Sequence, residues 1–516
     1  MRIASPRSLR PSLLDCACPG QVAAADGWSR RRRRLRLGKG TLALLALALF
    51  TTVAPSTTHA NVGDLYGFGS RGGALCGALS SLADDHTALF YNPAGMSFGQ
   101  PGMGVGLGVS LDDVTIRMKP RPSGYDLPDL GNASPAIPTG SRLGVRGDVL
   151  DIPNNYSFLV GAMGSFGITR LRVGVAVMLP FNQIGHQRSH FADEREQYFS
   201  NNLSWELIGE RTEHQTILVG GSWMLLDWVS IGFGMSVMPT ANTDSRVYLA
   251  DAARQDQVVM TVDNHQTGRT GLQAGMLLKP TDALRFGLTY RTENAFSMTI
   301  RNEVQVKGFQ EDPTSWPLVQ NVKVVVNYVP AQATVGAAWQ RGALTLTADG
   351  AWTAWSQMIG SDGLRGTGFH DTVSVRAGAE LVSGSGRTLR IGLGWEPSPV
   401  PPQTGRTNYV DNDRIRLGIG SSHGLDLLGK NVDISWYAQV QGLLPRDTDK
   451  TKLDSYPTCA PGVTSLCDEI ADGTPNPSTG KAEPAFVGLQ TGNPGFPGWQ
   501  SYGTLLAFGV DIRWRF

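Results

Sequence analysis

The sequence ends in Phe508-Gly-Val-Asp-Ile-Arg-Trp-Arg-Phe516, a stretch in which two kinds of side chain alternate. Positions 508, 510, 512, 514 and 516 are all apolar, whereas positions 509, 511, 513 and 515 hold glycine or a charged residue. Successive side chains of a strand point to opposite faces, so this pattern predicts a β-strand with one apolar face and one polar face.

The same alternation recurs along the chain, for example over residues 284–291, 372–381, 388–395 and 432–441. Strands of soluble sandwiches average about 5–6 residues, whereas the strands of a membrane barrel need about 9–11 residues. Several of these runs reach ten residues. The last run ends on Phe516, as terminal strands of bacterial outer membrane barrels do. The pattern therefore favours a membrane barrel over a soluble sandwich.

Fourteen such runs can be placed, and they predict an all-β fold, a 14-stranded antiparallel transmembrane β-barrel. The runs begin near residues 103, 156, 171, 211, 228, 256, 284, 320, 343, 371, 386, 412, 430 and 502. Short turns such as Thr169–Arg170 alternate with long loops such as 181–210, which is typical of outer membrane barrels. Tryptophans near the run ends predict aromatic girdles: Trp223, Trp228, Trp339, Trp352, Trp395, Trp436 and Trp514.

The composition agrees with a membrane barrel and argues against a nucleic-acid-binding protein. Charged residues are 17% of the chain, and it contains 63 glycines. The formal net charge is +1, but residues 1–60 carry a net charge of +8, so the remaining residues carry −7 and are mildly acidic. An acidic surface repels the phosphate backbone of nucleic acids, so no nucleic-acid partner is expected.

Residues 1–60 are predicted to be a cleaved signal peptide. A basic block at 30–36 precedes the uncharged apolar stretch Thr41–Val53, and Thr58-His59-Ala60 forms a small-x-Ala cleavage site. A membrane-spanning helix needs about 20 apolar residues, which disfavours the alternative, a short anchor helix. Cleavage after Ala60 would leave Asn61 as the mature N-terminus.

Residues 61–102 do not alternate in this way, and they predict a small domain inside the barrel. The segment is rich in glycine and alanine, and Ala74–Ala83 is dense enough in small and apolar residues to predict a short helix. We therefore expect a hatch over residues 61–102 and a barrel over residues 103–516, with a long extracellular loop at 443–501.

The hatch sequence GSRGGALCGALSSLADDHTALFYNPAGM, residues 69–96, resembles the N-terminal hatch of the FadL/TodX family of outer membrane transporters. Weaker similarities follow in family order at Leu171–Phe181, at Ala351–Ser356 and within Arg390–Arg416. The resemblance implies a passive importer of long-chain fatty acids or similar hydrophobic molecules in the outer membrane of a Gram-negative bacterium. It also implies contact with outer membrane lipid and lipopolysaccharide, and insertion by the barrel assembly machinery.

The resemblance further implies a route through the protein. Extracellular loops capture the ligand, the hatch shifts, and the ligand leaves sideways near the third strand. The hatch residues implicated in gating and ligand contact are Asn61, Phe90, Tyr91, Asn92, Pro93 and Ala94. Pro93 restricts the backbone and the Asn92 side chain can bond to nearby backbone groups, so a rigid turn is expected. The alternative is that this turn only holds the hatch in place. A strand that could kink to open the wall is bracketed by Gly174, Pro180 and Phe181.

Charged residues on the polar faces of the strands should pair with one another or with the hatch, because unpaired charge in a narrow lumen is costly. A fatty acid needs a cationic partner for its carboxylate as well as an apolar slot for its tail. The arginines that could bind this carboxylate, or alternatively only brace the barrel, are Arg376, Arg390, Arg414 and Arg416.

Two cysteines, Cys459 and Cys467, lie in the polar loop 443–501, and an oxidising compartment would allow a local disulfide between them. Two free thiols are the alternative. No cysteine or histidine spacing typical of a metal site is present, and no cofactor is expected.

Enzyme signatures are not supported. Gly67–Gly72 fits a dinucleotide fingerprint, but no strand precedes it. Two Gly-x-Ser-x-Gly matches lack the strand–turn–helix context of a nucleophile elbow, so no catalytic residue is expected. The main alternative to a transporter is a non-conducting receptor or adhesion barrel that acts through its extracellular loops.

Overall fold

The computed structural model describes most of the barrel and the hatch. The described residues are 62–119, 148–149, 154–181, 216–237, 241–248, 258–267, 270–306, 318–360, 363–365, 368–384, 386–404, 407–427, 430–450, 469–471, 487–491 and 497–516. The predicted signal peptide, Asn61, Cys459 and Cys467 lie outside these residues, so what was predicted of them stays a prediction.

Strands make up most of the described chain. In chain order they are β1 Gly102–Met118, β2 Asp148–Val149, β3 Asn155–Gly164, β4 Leu171–Pro180, β5 Thr216–Leu226, β6 Val229–Val237, β7 Ala241–Tyr248, β8 Val258–Thr267, β9 Thr270–Leu278, β10 Leu284–Arg291, β11 Asn294–Val306, β12 Leu318–Val329, β13 Gln332–Arg341, β14 Leu344–Thr353, β15 Thr372–Val382, β16 Arg387–Glu396, β17 Arg414–Leu427, β18 Lys430–Asp449, β19 Glu469–Ala471, β20 Val487–Thr491 and β21 Gly498–Arg515. The alternation of apolar and polar residues seen in the sequence produces this strand-rich fold.

The predicted 14-stranded antiparallel barrel is confirmed. Its strands follow the order β1-β21-β18-β17-β16-β15-β14-β13-β10-β9-β6-β5-β4-β3, and β3 pairs with β1 to close the ring. The closing ladder runs from Gly102 opposite Met163 to Ser110 opposite Asn155. Closure leaves these strands without a free edge, so their backbone groups are paired within the wall.

A second sheet accounts for two wrong strand assignments. β7, β8, β11 and β12 form a separate four-stranded sheet, in the order β12-β11-β8-β7. The run predicted to begin near 256 therefore covers β8 of this sheet and β9 of the barrel, and the run near 320 covers β12 and β13. The count of fourteen was right because each of these runs still contributes one barrel strand.

The outer surface of the barrel is apolar and its inner surface is polar. On β16, Ile391 and Leu393 are 52% and 56% exposed on the outer face, whereas Arg390 points inward and pairs with Glu380. Six of the predicted girdle tryptophans are between 37% and 48% exposed, namely Trp223, Trp228, Trp339, Trp352, Trp395 and Trp436. An apolar outer belt with aromatic rims matches a wall surrounded by lipid.

The two ends of the barrel differ. Residues 165–170, 227–228, 279–283, 342–343 and 383–386 connect neighbouring strands at what we term the short-turn end. At the loop end, β18 and β21 pair out to Asp449 opposite Gly498, so both strands extend further than the predicted boundaries of the 443–501 loop. Among the described residues, no helix has the length and apolar character needed to cross a membrane.

Short helices form the N-terminal hatch, at α1 Val62–Tyr66, α2 Ser70–Ala74 and α3 Ala88–Tyr91, followed by a 3-10 helix at Pro93–Phe98. The helix predicted over Ala74–Ala83 is wrong, because α2 ends where that segment begins. Cys76 and Gly77 adopt φ values of 51° and 85°, which are left-handed conformations that an α-helix cannot contain. The chain instead makes irregular turns that follow the inner wall.

Glycines of the inner wall let the hatch backbone approach closely. A Cβ atom built on Gly287 of β10 would lie 2.2 Å from the carbonyl oxygen of Ser80. A Cβ atom on Gly392 of β16 would lie 2.4 Å from the carbonyl carbon of Leu75. No larger residue fits at these two positions without moving the hatch, so the high glycine content serves this contact directly.

Candidate functional site

The turn at Asn92 ties the hatch to the barrel wall. The fully buried Asn92 side chain donates to the carbonyl oxygens of Ser80, at 2.7 Å, and of Met276 in β9, at 3.1 Å. Its Oδ1 atom accepts from the backbone N–H of Ala94 at 3.1 Å, which caps the 3-10 helix that begins at Pro93. One amide thus joins two segments of the hatch and one strand of the barrel.

Wall side chains hold the residues on either side of this turn. Ser230 of β6 donates to the carbonyl oxygen of Ala94 at 2.8 Å, and Gln273 of β9 donates to that of Phe90 at 3.2 Å. A Cβ atom on Gly232 of β6 would lie 2.3 Å from the Ala94 nitrogen. These contacts leave the turn little freedom while the hatch is seated.

Phe90 and Tyr91 belong to an aromatic cluster inside the hatch. The Phe90 ring stacks on Phe68 with 4.9 Å between the ring centroids, and it meets Tyr91 edge-on at 5.1 Å. The Tyr91 hydroxyl accepts from the Phe68 backbone N–H at 2.7 Å. The guanidinium of Arg291, from β10, lies 4.8 Å from the Phe90 ring, within the range of a cation–π interaction.

Helix α1, which follows Asn61, is anchored towards the loop end. Tyr66 bonds to Asp112 of β1, and Gln441 of β18 donates to the carbonyl oxygen of Leu65 at 2.7 Å. Arg291 forms an ion pair with Asp64 at 3.2 Å. The N-terminal segment of the described chain therefore starts from a position secured to three different strands.

The strand predicted to open the wall is paired along both of its edges. β4 pairs with β3 from Ser157 opposite Pro180 to Gly164 opposite Val173, and with β5 over Leu171–Met178. Gly174 faces the hatch, since a Cβ atom there would lie 3.1 Å from Met96 Sδ and 3.3 Å from Leu89 Cδ1.

The Pro180–Phe181 end of β4 lies at the loop end. Phe181 is 54% exposed, and its ring centroid lies 5.8 Å from that of Phe158 on the neighbouring strand. The structure thus brings Gly174 close to the hatch but keeps Pro180 and Phe181 at the rim.

The four lumen arginines do not have equivalent surroundings. Arg390 pairs with Glu380 at 2.6 Å, Arg414 pairs with Asp411 at 2.6 Å, and Arg416 pairs with Glu396. Arg376 makes no ion pair with any described residue. Its guanidinium lies close to the hatch, since a Cβ atom on Gly77 would lie 3.2 Å from Nη1 of Arg376. Of the four, Arg376 is therefore the arginine whose charge is least compensated by a direct partner.

A charged cavity of about 720 Å³ lies beneath the hatch at the short-turn end. Arg71 of the hatch reaches Glu380 and Asp84, and hatch residue Asp85 pairs with Arg513 of β21 at 3.0 Å. Further charged residues that line the cavity are Arg390, Asp426, Asp433, Asp511 and Arg515. This agrees with the expectation that charges in the lumen pair with one another or with the hatch.

Two titratable hatch residues border this cavity. Burial lowers the pKa of His86, and Asp85 beside it only partly offsets the effect. Burial alone would raise the pKa of Asp85, yet Arg513, His86 and the Thr87 hydrogen bond together hold it well below its usual value. Both shifts favour the neutral form of His86 and the charged form of Asp85 while the hatch is seated.

The wall on the loop side of the hatch includes an apolar patch. Buried side chains from five strands contribute to one core cluster with the hatch: Val114, Met178, Leu218, Leu443 and Leu505. The hatch thus contacts an apolar patch towards the loop end and a charged cavity at the short-turn end, and the buried ion pairs of Arg414 and Arg416 also lie towards the loop end.

Sequence reasoning missed the hatch residues Arg71, Asp84, Asp85 and His86. Their signal was the presence of charge in a segment otherwise made of small and apolar residues. Asp349 on the polar face of β14 accepts from the backbone N–H of Ser80 at 2.8 Å, as expected of a lumen charge that pairs with the hatch.

Comparison with known proteins agrees with this architecture. Residues 196–444 match the family described as outer membrane protein transport protein (OMPP1/FadL/TodX). Alkane uptake protein A of Marinobacter nauticus is 22% identical over 447 residues, which cover 81% of this chain and 92% of that protein.

Among solved structures, a Pseudomonas aeruginosa FadL homologue has the same fold, with a TM-score of 0.57 at 14% identity, covering 90% of this chain and 100% of that one. The toluene transporter TodX of P. putida gives a TM-score of 0.46 at 12% identity, covering 88% of this chain and 99% of that one. Over residues 196–444 the chain is therefore similar to the OMPP1/FadL/TodX family of outer membrane transport proteins, and its barrel lies in the outer membrane of a Gram-negative bacterium.

Proposed function

We propose that the protein is a passive channel that imports hydrophobic molecules, such as long-chain fatty acids or alkanes, past a movable hatch. The observation that carries the proposal is the apolar patch of the inner wall on the loop side of the hatch. Met178 and Leu505 contribute to this patch, whereas the short-turn side has the charged cavity. An apolar wall favours hydrophobic cargo and disfavours a general aqueous pore.

The charged cavity supports a lateral exit. A hydrocarbon chain moving straight down would have to cross a cavity lined by Arg71, Glu380, Arg390 and Asp433, displacing the water and ion pairs of these groups. Desolvating charged groups without replacing their partners is costly. Leaving sideways into lipid avoids this cost, and the wall around Gly174 is the candidate for the exit because hatch residues Leu89 and Met96 pack there.

Opening on this side requires the hatch to move first. Leu89 and Met96 lie against Gly174, so a shift of the hatch would remove the side chains that back this part of the wall. The Asn92–Ala94 turn is part of the same hatch segment and controls its position through the bonds of Asn92. In this proposal the turn acts as the gate and β4 as the wall beside it.

For a fatty acid, Arg376 is our choice among the four arginines as the partner of the carboxylate. The other three already have carboxylate partners, so binding a ligand there would require breaking an existing ion pair. An alkane would need no such partner. The roles proposed for Arg376 and for the hatch turn therefore predict different dependences on the ligand.

The test is uptake by cells that lack their own importer, using a labelled long-chain fatty acid and an alkane of equal chain length. We expect Pro93→Leu to reduce uptake of both compounds at an unchanged surface level. Arg376→Gln should reduce uptake of the fatty acid alone. Equal uptake by wild type and Pro93→Leu would contradict hatch gating, and no uptake of either compound by wild type would contradict the transport proposal.

A receptor or adhesion barrel remains the second candidate, and one observation favours it. β18 has 20 residues and β21 has 18, and the two strands pair as far as Asp449 opposite Gly498. Both are much longer than a strand of about 9–11 residues, which is enough to cross a membrane. Both strands therefore continue beyond the length needed to cross the membrane. This candidate predicts a folded surface protein whose deletion leaves uptake of hydrophobic compounds unchanged.

A further inference from the structure

The short-turn end of the barrel carries an apolar arc on one side. Two neighbouring turns, β3–β4 and β5–β6, present large hydrophobic side chains to the outside, together with the strand residue Trp223. The exposed fractions are 72% for Phe166, 47% for Ile168, 43% for Trp223, 45% for Leu225, 50% for Leu226 and 48% for Trp228.

The other described turns at this end have a different composition. The β9–β10 turn is Lys279-Pro-Thr-Asp-Ala283, the β13–β14 turn contains Gly342, and the β15–β16 connection at 383–386 consists of serine and glycine. Asp282 is fully exposed in its turn. Leu381 and Val382 at the end of β15 are also 49% and 47% exposed, but none of these other turns holds an aromatic residue. The exposed aromatic turn residues Phe166 and Trp228 are therefore particular to one side of the described barrel.

Phe166 occupies a strained position at the tip of its turn. The Ile168 N–H bonds to the Ser165 carbonyl oxygen at 2.8 Å, and the two central residues, Phe166 and Gly167, have φ values of 47° and 83°. Positive φ at both central residues is the requirement of a type I′ turn, for which asparagine, aspartate or glycine is preferred. A bulky aromatic residue in this conformation costs folding free energy, so the turn itself does not favour phenylalanine here and the exposed ring points to another use.

Arg170 fastens the two apolar turns to each other. Its guanidinium donates to the Leu225 carbonyl oxygen at 2.9 Å and lies 3.5 Å from the Asp227 carboxylate. Its own carbonyl oxygen accepts from the Met224 N–H at 2.9 Å. Both turns therefore present one continuous surface.

We infer that this apolar arc is a lipid-binding surface that inserts into the phospholipids of the periplasmic leaflet. The short-turn end of an outer membrane barrel faces the periplasm. The arc continues the outer wall of β3–β6, which already contacts lipid. Phospholipid can therefore reach the arc without any further binding surface on the protein. Tryptophan and apolar side chains at this depth suit the boundary between headgroups and acyl chains. The leaflet is thereby drawn around this side of the barrel.

This inference does not depend on what the barrel transports. It concerns the depth of two turns in the membrane, which can be measured on a protein that conducts nothing. If the proposed exit beside β4 is also correct, cargo would leave next to lipid held by the same hairpin.

The test measures depth with a fluorescent probe. Phe166→Cys, in a background with Cys76, Cys459 and Cys467 replaced by serine, is labelled with bimane and placed in nanodiscs that hold one barrel each. Thr281→Cys, in the polar β9–β10 turn, is the matched control. We expect lipids brominated near the glycerol end of the chain to quench the probe at 166 at least twofold more than the probe at 281. Aqueous iodide should quench the probe at 281 more strongly.

Equal quenching of the two probes by iodide would overturn the inference. Protection of the probe at 166 from iodide without quenching by brominated lipid would also overturn it, since protein rather than lipid would then cover the turn. One barrel per disc excludes a second copy as the cover.

For a second variant, the two possible environments of the Phe166 ring, water and lipid, predict stability changes of opposite sign. Phe166→Asn suits the type I′ turn better, so it should raise the urea midpoint of the barrel in vesicles if the turn lies in water. If the ring lies in lipid, the lost contact should outweigh the better turn and lower the midpoint. A raised midpoint would therefore contradict lipid binding.

Discussion

Arg71 of the hatch and Glu380 of β15 form a two-pronged ion pair, with 2.9 Å between Nε and Oε1 and 2.7 Å between Nη2 and Oε2. Parallel bonds from the planar guanidinium to both carboxylate oxygens fix orientation as well as distance. Glu380 also accepts from Arg390, and Arg71 also reaches Asp84. This pair links the hatch to the wall at the top of the charged cavity.

The first prediction is that Glu380→Gln loosens the hatch without unfolding the barrel. Removing the Glu380 charge leaves Arg390 without its ion-pair partner and Arg71 with Asp84 alone. Breaking a mostly buried ion pair in this way typically costs about 3–5 kcal/mol. Ion conductance in planar bilayers and entry of a large hydrophilic antibiotic should both rise. Asp282→Asn, which removes an exposed ion pair with Lys279, is the control and should change neither. Unchanged conductance in Glu380→Gln would rule out a holding role for this pair.

The second prediction concerns Asn92, whose amide makes the bonds that hold the gate turn. Asn92→Ala loses its bonds to Ser80, Met276 and Ala94 and leaves two buried carbonyl oxygens without this donor, at roughly 1–3 kcal/mol. Asn92→Asp keeps the acceptor for Ala94 but directs a negative charge at those carbonyl oxygens, so it should be at least as disruptive. Amide hydrogen exchange of hatch peptides is the measurement.

Exchange should increase in both Asn92 variants and stay unchanged in the control Asn431→Ala, an exposed position on β18. A wild-type exchange pattern in Asn92→Ala would show that the turn is held by other contacts.

The third prediction uses the glycines of the wall. Gly287→Val would place a methyl-bearing carbon 2.2 Å from the Ser80 carbonyl oxygen, whereas a Cβ atom on Gly350 meets nothing within 4 Å. Both substitutions introduce a residue that favours strands, so both barrels should assemble and show heat-modifiable migration. Only Gly287→Val should raise conductance, because only there must the hatch move. Equal conductance of the two variants would mean that the hatch adapts to the added volume.

The barrel was predictable because its signal is local. Alternation over ten residues identifies a strand whatever its neighbours are, and closure follows from the need to pair every strand edge in lipid. The two runs near 256 and 320 were misread because residues of the second sheet also form strands, and the sequence pattern does not mark where β8 gives way to β9.

The hatch was predictable as a segment but not in its conformation. Its composition favours a helix after Ala74, yet contact with Gly392 and Gly418 of the wall accompanies left-handed turns at Cys76 and Gly77. The pairing of the lumen arginines was not predictable for the same reason, since it depends on contacts that only the folded chain makes. Arg71 and Glu380 are 309 positions apart, so only the folded barrel reveals which arginines are already neutralised and that Arg376 is not among them.

The fourth prediction is that acid weakens the seating of the hatch through His86. The ring fills the space that Cβ atoms on Gly104 and Gly161 would occupy, between the two strands that close the barrel. Burial lowers the pKa of His86 in the seated hatch, whereas an unseated hatch exposes the ring and restores a pKa of about 6.5. The unseated state therefore binds more protons. The contribution of His86 to the free energy of seating is fully present above about pH 6.5, and it falls by up to about 1.4 kcal/mol per pH unit below that value.

Conductance should accordingly be higher at pH 5.5 than at pH 7.5 in the wild type, and His86→Gln should remove most of the difference. Asp85 does not interfere in this range. Its pKa is held low in the seated hatch, so its contribution to seating is lost only as the pH falls below about 4, the value for an exposed aspartate. A wild-type conductance that is the same at both pH values would show that the ring is not protonated when the hatch moves.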